Sequence, residues 1–300
     1  MKVAITGGSG FIGKEFLKHA AENFELLSIS RSEDSAFNCK VFSNLFDVSA
    51  KDLAGVDVII HLAGIAHSKS ISCIDYSVFN TNLTLHLAQE AVKANVKRFV
   101  FVSSIGVNGL STNQERFLPN DKPAPHNSYA KSKLDAEIGL KAIECEKKLE
   151  IVIIRPTLVY GINAPGNFSL LVRLVKLFPL LPFGLIDNKR DFISVQNLAD
   201  LLVVCAKHPD AAGNIFLASD GYAVSTKDFT NAIARGLNKP IFQLPIPASF
   251  ISACAKIIGK STMVEQLLGN LEVDNSNCKD ILNWQAPLTM TQALSYFNKD

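Results

Sequence analysis

Short runs of apolar, often β-branched residues alternate along the first half of the chain with longer segments in which apolar residues recur at helical spacing. The strand-like runs fall at 2–6, 26–30, 56–62, 99–103 and 151–154, and the helical segments at about 10–23, 81–94 and 128–148. This alternation predicts a parallel sheet built from right-handed crossovers. The runs at 99–102 and 151–154 are almost continuously apolar, which is typical of strands covered on both faces.

The pattern becomes less regular after about residue 161, where loops rich in Pro, Gly and Asn separate shorter helices. We therefore predict an α/β protein with two parts. A Rossmann-type, doubly wound parallel sheet covers residues 1–160, and residues 190–215 return to it. A smaller α+β lobe covers most of residues 161–300, and the cleft between the two parts is the expected substrate site.

Composition excludes several classes of protein. The 300 residues are 48% hydrophobic, which is enough for a large core, and 30 Lys and Arg nearly balance 28 Asp and Glu. A chain without a net basic field is not expected to bind nucleic acid. The six cysteines and the histidines lack metal-ligand spacing, so no metal site is predicted. The cysteines are expected to be buried, reduced thiols of a cytoplasmic protein.

The hydropathy pattern predicts neither a signal peptide nor a membrane-spanning helix. Residues 1–6 lead directly into a glycine cluster, which leaves no space for a signal peptide. The longest apolar stretch, 168–186, is interrupted by two basic residues and two prolines, so it lacks the roughly 20 continuous apolar residues of a span. A second apolar stretch, 246–259, is either a buried amphipathic helix or a segment that lies against a membrane surface.

A glycine-rich turn follows the first strand and opens the first helix. Gly7 permits the tight turn, Gly10 lets a pyrophosphate approach the backbone, and Gly13 lets the helix pack close to the sheet. The same turn brings Phe11 and Ile12 to the start of the helix, where the positive end of the helix dipole favours an anion. These features predict a dinucleotide-binding site.

The residues after the second strand bear on which dinucleotide binds. NAD enzymes usually place an acid about 20 residues beyond the glycine turn, where it bonds to the ribose hydroxyls. This chain has Arg31 there, between two serines. A guanidinium suits a 2′-phosphate, so Arg31 favours NADP. NAD remains the alternative, because Arg31 could stack on adenine and because Glu33 and Asp34 follow closely.

Three residues form a candidate catalytic set. Ser104 follows the apolar strand 99–103 at the carboxyl edge of the sheet, and Tyr129 comes 25 residues later. Lys133 lies one helical turn beyond Tyr129, on the same face. A nearby cation lowers the pKa of a phenol, so we expect Tyr129 to act as general acid or base. Ser104 is expected to bond to the reacting oxygen, and Lys133 to hold the nicotinamide ribose.

With these motifs the chain resembles the extended short-chain dehydrogenases/reductases of the NAD-dependent epimerase/dehydratase family. The resemblance covers nearly the whole chain and includes the segments 61–64, 80–83, 155–161 and 190–195. It implies that Leu62, Ala63 and Gly64 line the cofactor groove and that Asn82 lies under it. It also implies that Asn167 and Arg190 hold the diphosphate of a nucleotide sugar, and that the protein is a homodimer through the helices near 82–94 and 128–148.

The resemblance leaves the exact reaction open. Dehydratases of the family carry an acid pair after the hydroxyl residue, where this chain has Ile105 and Gly106, so dehydration is disfavoured. The favoured reaction is NADPH-dependent 4-ketoreduction of a UDP-4-keto-6-deoxy-N-acetylhexosamine for surface polysaccharide. The alternative is a UDP-hexose or UDP-N-acetylhexosamine 4-epimerase with tightly bound NAD, and a variant of this alternative acts on a polyprenyl-linked sugar. A non-catalytic NADP-sensing protein is a third possibility, which Tyr129 and Lys133 argue against.

Overall fold

The computed structural model describes residues 1–32, 37–66, 72–257, 259 and 261–298. Within these residues one sheet contains seven strands: β1 (Lys2–Thr6), β2 (Glu25–Ser30), β3 (Cys39–Val41), β4 (Val58–His61), β5 (Arg98–Val102), β6 (Glu150–Pro156) and β10 (Ile215–Ala218). Shorter strands outside this sheet are β7 (Leu158–Tyr160), β8 (Leu180–Leu181), β9 (Phe192–Ser194) and β11 (Phe242–Gln243).

The helices follow the strands in the predicted alternation through the first half of the chain. They are α1 (Phe11–Ala20), α2 (Cys73–Tyr76), α3 (Leu83–Lys93), α4 (Ser128–Glu146), α5 (Asn167–Leu177), α6 (Val195–Lys207), α7 (Thr226–Gly236), α8 (Ala248–Ile257), α9 (Ser261–Leu268), α10 (Ser276–Leu282) and α11 (Met290–Ser295). A π-helical turn, Ser77–Asn82, joins α2 to α3.

The strand order in the main sheet is β10-β6-β5-β4-β1-β2-β3, and every neighbouring pair is parallel. The order reverses between β1 and β4, so a crevice opens at the carboxyl ends of these two strands. This topology confirms the predicted Rossmann-type fold. The structure thus places the glycine turn, which follows β1, beside the segment that follows β4.

Both faces of the sheet are covered, as its apolar strands predict. On one face the buried core includes α1 and α6 together with Trp284, which is 5% exposed. On the other face, α3 and α4 pack on β4, β5 and β6. α6 packs on the main sheet, and β10 is its edge strand beside β6. The division into a domain of residues 1–160 and a lobe of residues 161–300 stays a prediction.

The lobe formed by the later helices has its own core. α5, α7 and α11 contribute to it, and its centre is a cluster of aromatic side chains: Tyr160, Phe168, Phe192 and Phe229. Two small parallel pairs complete the lobe, β7 with β9 and β8 with β11. Across the described ranges, every helix is too short or too polar to cross a membrane.

The sequence missed one strand of the main sheet, and one expectation from it was wrong. Strand β3 was not predicted, because its three residues are too few to show a period. The cysteines are not uniformly buried: Cys205 and Cys278 are, whereas Cys73, Cys145 and Cys254 are exposed and all are free thiols. Apolar neighbours in the sequence did not distinguish the buried side of a helix from its exposed side.

Candidate active site

The loop between β1 and α1 leaves no space for side chains at two of its glycines. Gly7 has a φ of +77°, and a Cβ there would lie 2.7 Å from the backbone nitrogen of Ala63. A Cβ on Gly13 would lie 2.2 Å from the carbonyl oxygen of Gly7. Only glycine fits these positions, because the loop contacts the segment after β4 on one side and its own helix on the other.

The start of α1 faces the same crevice. The N-cap residue is Gly10, which has no side chain that could bond to the helix. The first amide groups, at Phe11 and Ile12, are therefore not capped by a side chain. The ring of Phe11 packs against the core of the C-terminal lobe. A bare helix N-terminus beside a glycine turn fits the pyrophosphate of a dinucleotide.

The segment after β4 forms the opposite wall of the crevice. Leu62 and Ala63 are half-buried and Gly64 is exposed, and a Cβ on Gly64 would lie 2.9 Å from Oδ1 of Asn80. Asn80 is fully buried, accepts a hydrogen bond from the Ile65 amide at 2.8 Å and donates to the Ile65 carbonyl at 3.0 Å. It is therefore the asparagine that holds this wall.

The prediction that Asn82 lies under the groove was wrong. Asn82 ends the π-helical turn with its side chain exposed, whereas Asn80 is buried and also donates to the Ser132 hydroxyl at 3.0 Å. Two positions correspond to about 200° around a helix, so the two side chains lie on opposite sides. The motif located the correct helical turn, but the sequence could not show whether Asn80 or Asn82 faces inward.

Arg31 follows the last residue of β2 and its side chain is exposed. The end of β2 lies next to β1 in the sheet, on the side of the crevice where the ribose of a dinucleotide would reach. Glu33 and Asp34, which kept NAD open in the sequence, lie outside the described residues. The structure therefore leaves the NADP preference as a prediction.

Ser104, Tyr129 and Lys133 come together at the carboxyl end of β5. Ser104 follows the strand and caps a short 3₁₀ turn by accepting the Gly106 amide at 3.1 Å, and its side chain is hydrogen-bonded to Tyr129. Lys133 donates from Nζ to the Val102 carbonyl at 3.0 Å and lies over the Phe101 ring, 4.7 Å from its centroid. The predicted set is thus assembled in one place.

Burial controls the protonation of this set. It raises the pKa of Tyr129 to about 12, against a smaller lowering by the hydrogen bond with Ser104. It lowers the pKa of Lys133 to about 8, which the negative charge of Glu137 partly opposes. In the protein alone Nζ of Lys133 donates to the Val102 carbonyl, and the lowering of the Tyr129 pKa by Lys133 stays a prediction. The phenol is therefore protonated at neutral pH.

A buried ion pair supports the helix that carries Tyr129. Glu137 of α4 bonds to Arg155 of β6 at 2.6 Å, and the two side chains are 4% and 3% exposed. Ser103 donates to the same carboxylate at 2.5 Å, and Asn108 accepts from Arg155 at 2.9 Å. Sequence reasoning missed Glu137, although its position two helical turns after Tyr129 places it on the same side of α4.

Tyr76 is a second residue that sequence reasoning missed. Its ring contacts the Tyr129 ring edge to face, with the centroids 6.1 Å apart, and its hydroxyl donates to the Ala66 carbonyl at 3.4 Å. No local motif marks this tyrosine, because its contact with Tyr129 depends on how α2 packs against α4.

Asn167 and Arg190, the predicted diphosphate ligands, both contact the segment around α9. Asn167 begins α5, is exposed and donates to the Gln266 side chain at 3.2 Å. Arg190 is 9% exposed and donates from Nη1 to the Gly269 carbonyl at 2.7 Å. Among the described residues no carboxylate pairs with Arg190, and burial lowers its pKa to about 10. Both residues thus contact α9 or the residues just after it, and their binding role stays a prediction.

Across the described ranges, no cluster of His, Cys, Asp and Glu could hold a metal ion. His61 instead belongs to the support of the groove, since it is fully buried and bonded to Thr6 and Thr84.

Comparison with known proteins gives a consistent result. UDP-glucose 4-epimerase of Vibrio cholerae is 37% identical over 97% of this chain and 92% of the relative. GDP-6-deoxy-D-talose 4-dehydrogenase of Aggregatibacter actinomycetemcomitans is 30% identical over 67% of this chain and 69% of the relative. The crystal structure of UDP-glucuronic acid 4-epimerase from Bacillus cereus in complex with NAD has a TM-score of 0.79 at 17% identity, covering 100% of this chain and 99% of that one.

A model of the NAD dependent epimerase/dehydratase family matches residues 3–218. The match includes the glycine turn, both walls of the crevice and the Ser104, Tyr129 and Lys133 set. The chain therefore belongs to the NAD-dependent epimerase/dehydratase family of extended short-chain dehydrogenases/reductases.

Proposed function

We propose that the protein is a nucleotide-sugar 4-ketoreductase. It reduces the C4 carbonyl of a UDP-4-keto-6-deoxy-N-acetylhexosamine, with NADPH as the favoured hydride donor, for the synthesis of a surface polysaccharide. The observation that carries the proposal is a protonated phenol, Tyr129, that is hydrogen-bonded to Ser104 and lies one helical turn from a buried lysine. A ketone that accepts a hydride also needs a proton, and this phenol can supply it.

Each residue of the set has a distinct task in this proposal. Tyr129 gives its hydroxyl proton to O4 of the sugar as the hydride adds to C4, and Ser104 donates a hydrogen bond to the same oxygen. Lys133, beside Gly64, holds the nicotinamide ribose and its charge stabilises the phenolate that remains. The bound dinucleotide supplies the hydride. Asn167 and Arg190 would bind the sugar diphosphate, for which the unpaired guanidinium is suited.

The protonation state of Tyr129 fits the role of a proton donor. Burial raises its pKa to about 12 in the protein alone, so the proton is present for transfer, and the neutral ring of a reduced nicotinamide would not lower that pKa. An epimerase begins instead by removing a proton from the 4-hydroxyl, which needs Tyr129 as a phenolate. The 4-dehydrogenase relative acts, by its name, at the same sugar carbon.

A 4-epimerase is the second candidate. The Vibrio cholerae relative favours it, because the similarity covers nearly the whole length of both chains. It would use the same three residues with NAD retained through the reaction. The oxidised ring would supply the positive charge that makes Tyr129 a base. We also keep the homodimer through α3 and α4, and the cytoplasmic location, as predictions.

Purified protein distinguishes the two candidates. A reductase must exchange its cofactor at every turnover, so we expect little bound dinucleotide after purification. It should oxidise NADPH in proportion to added UDP-2-acetamido-2,6-dideoxy-4-hexulose, with little interconversion of UDP-GlcNAc and UDP-GalNAc. Stoichiometric bound NAD, together with epimerisation that needs no added cofactor, would overturn the reductase in favour of the epimerase.

A further inference from the structure

One side of the C-terminal lobe carries an apolar ribbon formed by β8 and β11. Phe242 pairs with Leu180 in parallel register, and the two side chains are 69% and 53% exposed. Phe178 lies two positions before Leu180 and Leu244 two positions after Phe242, just outside the two strands, and they are 53% and 39% exposed. The neighbouring Leu181 is fully buried on the opposite face. The ribbon is therefore anchored by one face and presents a row of large apolar side chains on the other.

Helix α8 follows the ribbon in the chain and carries further exposed apolar side chains. It begins four residues after Leu244, and Phe250 and Ile257 are 60% and 86% exposed. Its inner side is anchored by Ala255, which is 4% exposed, and by Ile251, which packs against the core of the lobe. The apolar stretch found in the sequence is thus not a buried helix. We call the exposed side chains of the ribbon and of α8 the apolar face.

The two segments that supply the apolar face carry charge of one sign, and Asp187 and Glu265 are the acidic residues that follow them in the chain. Residues 161–186 and 235–264, which supply the face, contain six Lys and Arg and no Asp or Glu, in a chain with 28 acidic residues. Lys176, Lys239 and Lys256 are exposed, and Nζ of Lys239 donates to the carbonyl of Lys176 at 2.9 Å. In the described part of the chain none of these three lysines pairs with a carboxylate, so their charges are free to meet an anionic partner.

We propose that the apolar face docks the protein on the surface of an anionic phospholipid bilayer. Large apolar side chains that project beside lysines match the interface, where side chains enter the acyl boundary and cations meet phosphate headgroups. A second copy of the chain is the competing occupant. A twofold interface would bring the same cations together without an acidic residue from either segment to neutralise them, which is unfavourable.

Vesicle sedimentation tests this proposal without any sugar substrate. The wild-type protein should bind vesicles of phosphatidylglycerol and phosphatidylethanolamine, bind phosphatidylcholine vesicles weakly, and dissociate as salt is raised. A variant with Phe242→Ser and Phe250→Ser should lose at least about tenfold in partition coefficient, because two aromatic anchors are removed. Charge reversal by Lys176→Glu and Lys239→Glu should lower the partition coefficient at least about fivefold for each residue, and only on vesicles that contain phosphatidylglycerol.

The controls repeat the same two kinds of substitution, apolar to serine and lysine to glutamate, elsewhere on the surface. Val41→Ser removes an exposed apolar side chain on β3, and Lys51→Glu reverses an exposed charge; neither should change vesicle binding. Unchanged melting temperatures and dinucleotide affinity would show that the variants are folded. Equal vesicle binding by all variants, or none by the wild type, would overturn the proposal. If the serine substitutions instead convert a dimer into a monomer in sedimentation velocity, the face is a subunit interface.

Discussion

At the scale of single residues, the proposed role of Tyr129 depends on its surroundings. Burial raises its pKa to about 12, and its hydroxyl is hydrogen-bonded to Ser104. The hydroxyl is therefore protonated and can donate its proton to a bound acceptor. Lys133, whose pKa is lowered to about 8, lies one helical turn from Tyr129. Its positive charge can stabilise the phenolate that remains after proton transfer. The two shifts have one cause, which is the removal of both groups from water.

We predict that Tyr129→Phe lowers turnover by at least about 10²-fold, because the general acid is lost while the ring remains. Dinucleotide affinity should change little, since Lys133 and the glycine turn are untouched. Steady-state kinetics and a cofactor titration measure the two effects. Tyr76→Phe is the matched control, because it removes the hydroxyl of the ring in contact with Tyr129. Near wild-type turnover in Tyr129→Phe would remove this residue from the mechanism.

Arg31 decides the choice of dinucleotide if it binds a 2′-phosphate. A charge-assisted contact of this kind is worth about 1.5–3 kcal/mol, so Arg31→Ala should weaken NADPH binding by roughly ten- to hundredfold and NADH binding much less. Fluorescence titration with both reduced dinucleotides measures the difference. Equal weakening of both would show that the exposed guanidinium only stacks on adenine.

At the scale of elements, the position of α4 fixes the catalytic set. The Glu137–Arg155 pair ties this helix to β6, and Ser103 adds a hydrogen bond from the end of β5. These contacts lie two turns along α4 from Tyr129. The ion pair is thus placed to hold the helix against the strand end that carries Ser104.

We predict that Glu137→Ala lowers the free energy of unfolding by about 3–5 kcal/mol, because it leaves the buried guanidinium of Arg155 without a counter-charge. Asp135→Ala, two positions earlier, removes the partner of Lys131 in an exposed pair and should cost less than about 1 kcal/mol. Urea denaturation of both variants provides the comparison. Similar losses in the two would show that the buried pair contributes no more than an exposed one.

The sequence predicted elements whose local pattern is strong and missed those that depend on packing. The glycine turn and the Tyr129 to Lys133 spacing are local, so the dinucleotide loop and the face of α4 could be located before the structure was known. The choice between Asn80 and Asn82 depends on the rotation of a π-helical turn, and the Tyr76 contact on the packing of α2. Neither leaves a periodic signal in the chain.

On the scale of the whole molecule, the main sheet was predictable and the surface of the C-terminal lobe was not. Strands buried on both faces show as continuous apolar runs, which located β1, β2, β4, β5 and β6 of the parallel sheet, whereas the short and partly exposed strand β3 was missed. The stretch 246–259 has the same apolar character, yet α8 within it is largely exposed. Hydropathy records what a side chain prefers, and only tertiary structure shows whether a neighbour covers it.

A buried histidine at the crevice should make the stability of the whole fold sensitive to acid. His61 is fully buried; its Nδ1 lies 2.6 Å from the Thr6 hydroxyl and its Nε2 2.9 Å from the Thr84 hydroxyl. Thr84 gives its own proton to the Asn80 carbonyl, so the neutral ring with the proton on Nε2 satisfies both contacts. Burial, with a further effect of the Lys133 charge, lowers the pKa of His61 to about 3.

The unfolded chain takes up a proton at this histidine near pH 6.5, whereas the native protein does so only near pH 3, so stability falls as the pH drops between these values. Between pH 7 and pH 5 the loss from this group is about 2 kcal/mol. Burial raises the pKa of Asp191 to about 6, which stabilises the native state in the same interval, but equally in wild type and in His61→Gln. Urea denaturation at the two pH values should therefore show a smaller acid-induced loss in His61→Gln than in wild type, and an unchanged loss would contradict the assignment of a neutral, buried ring.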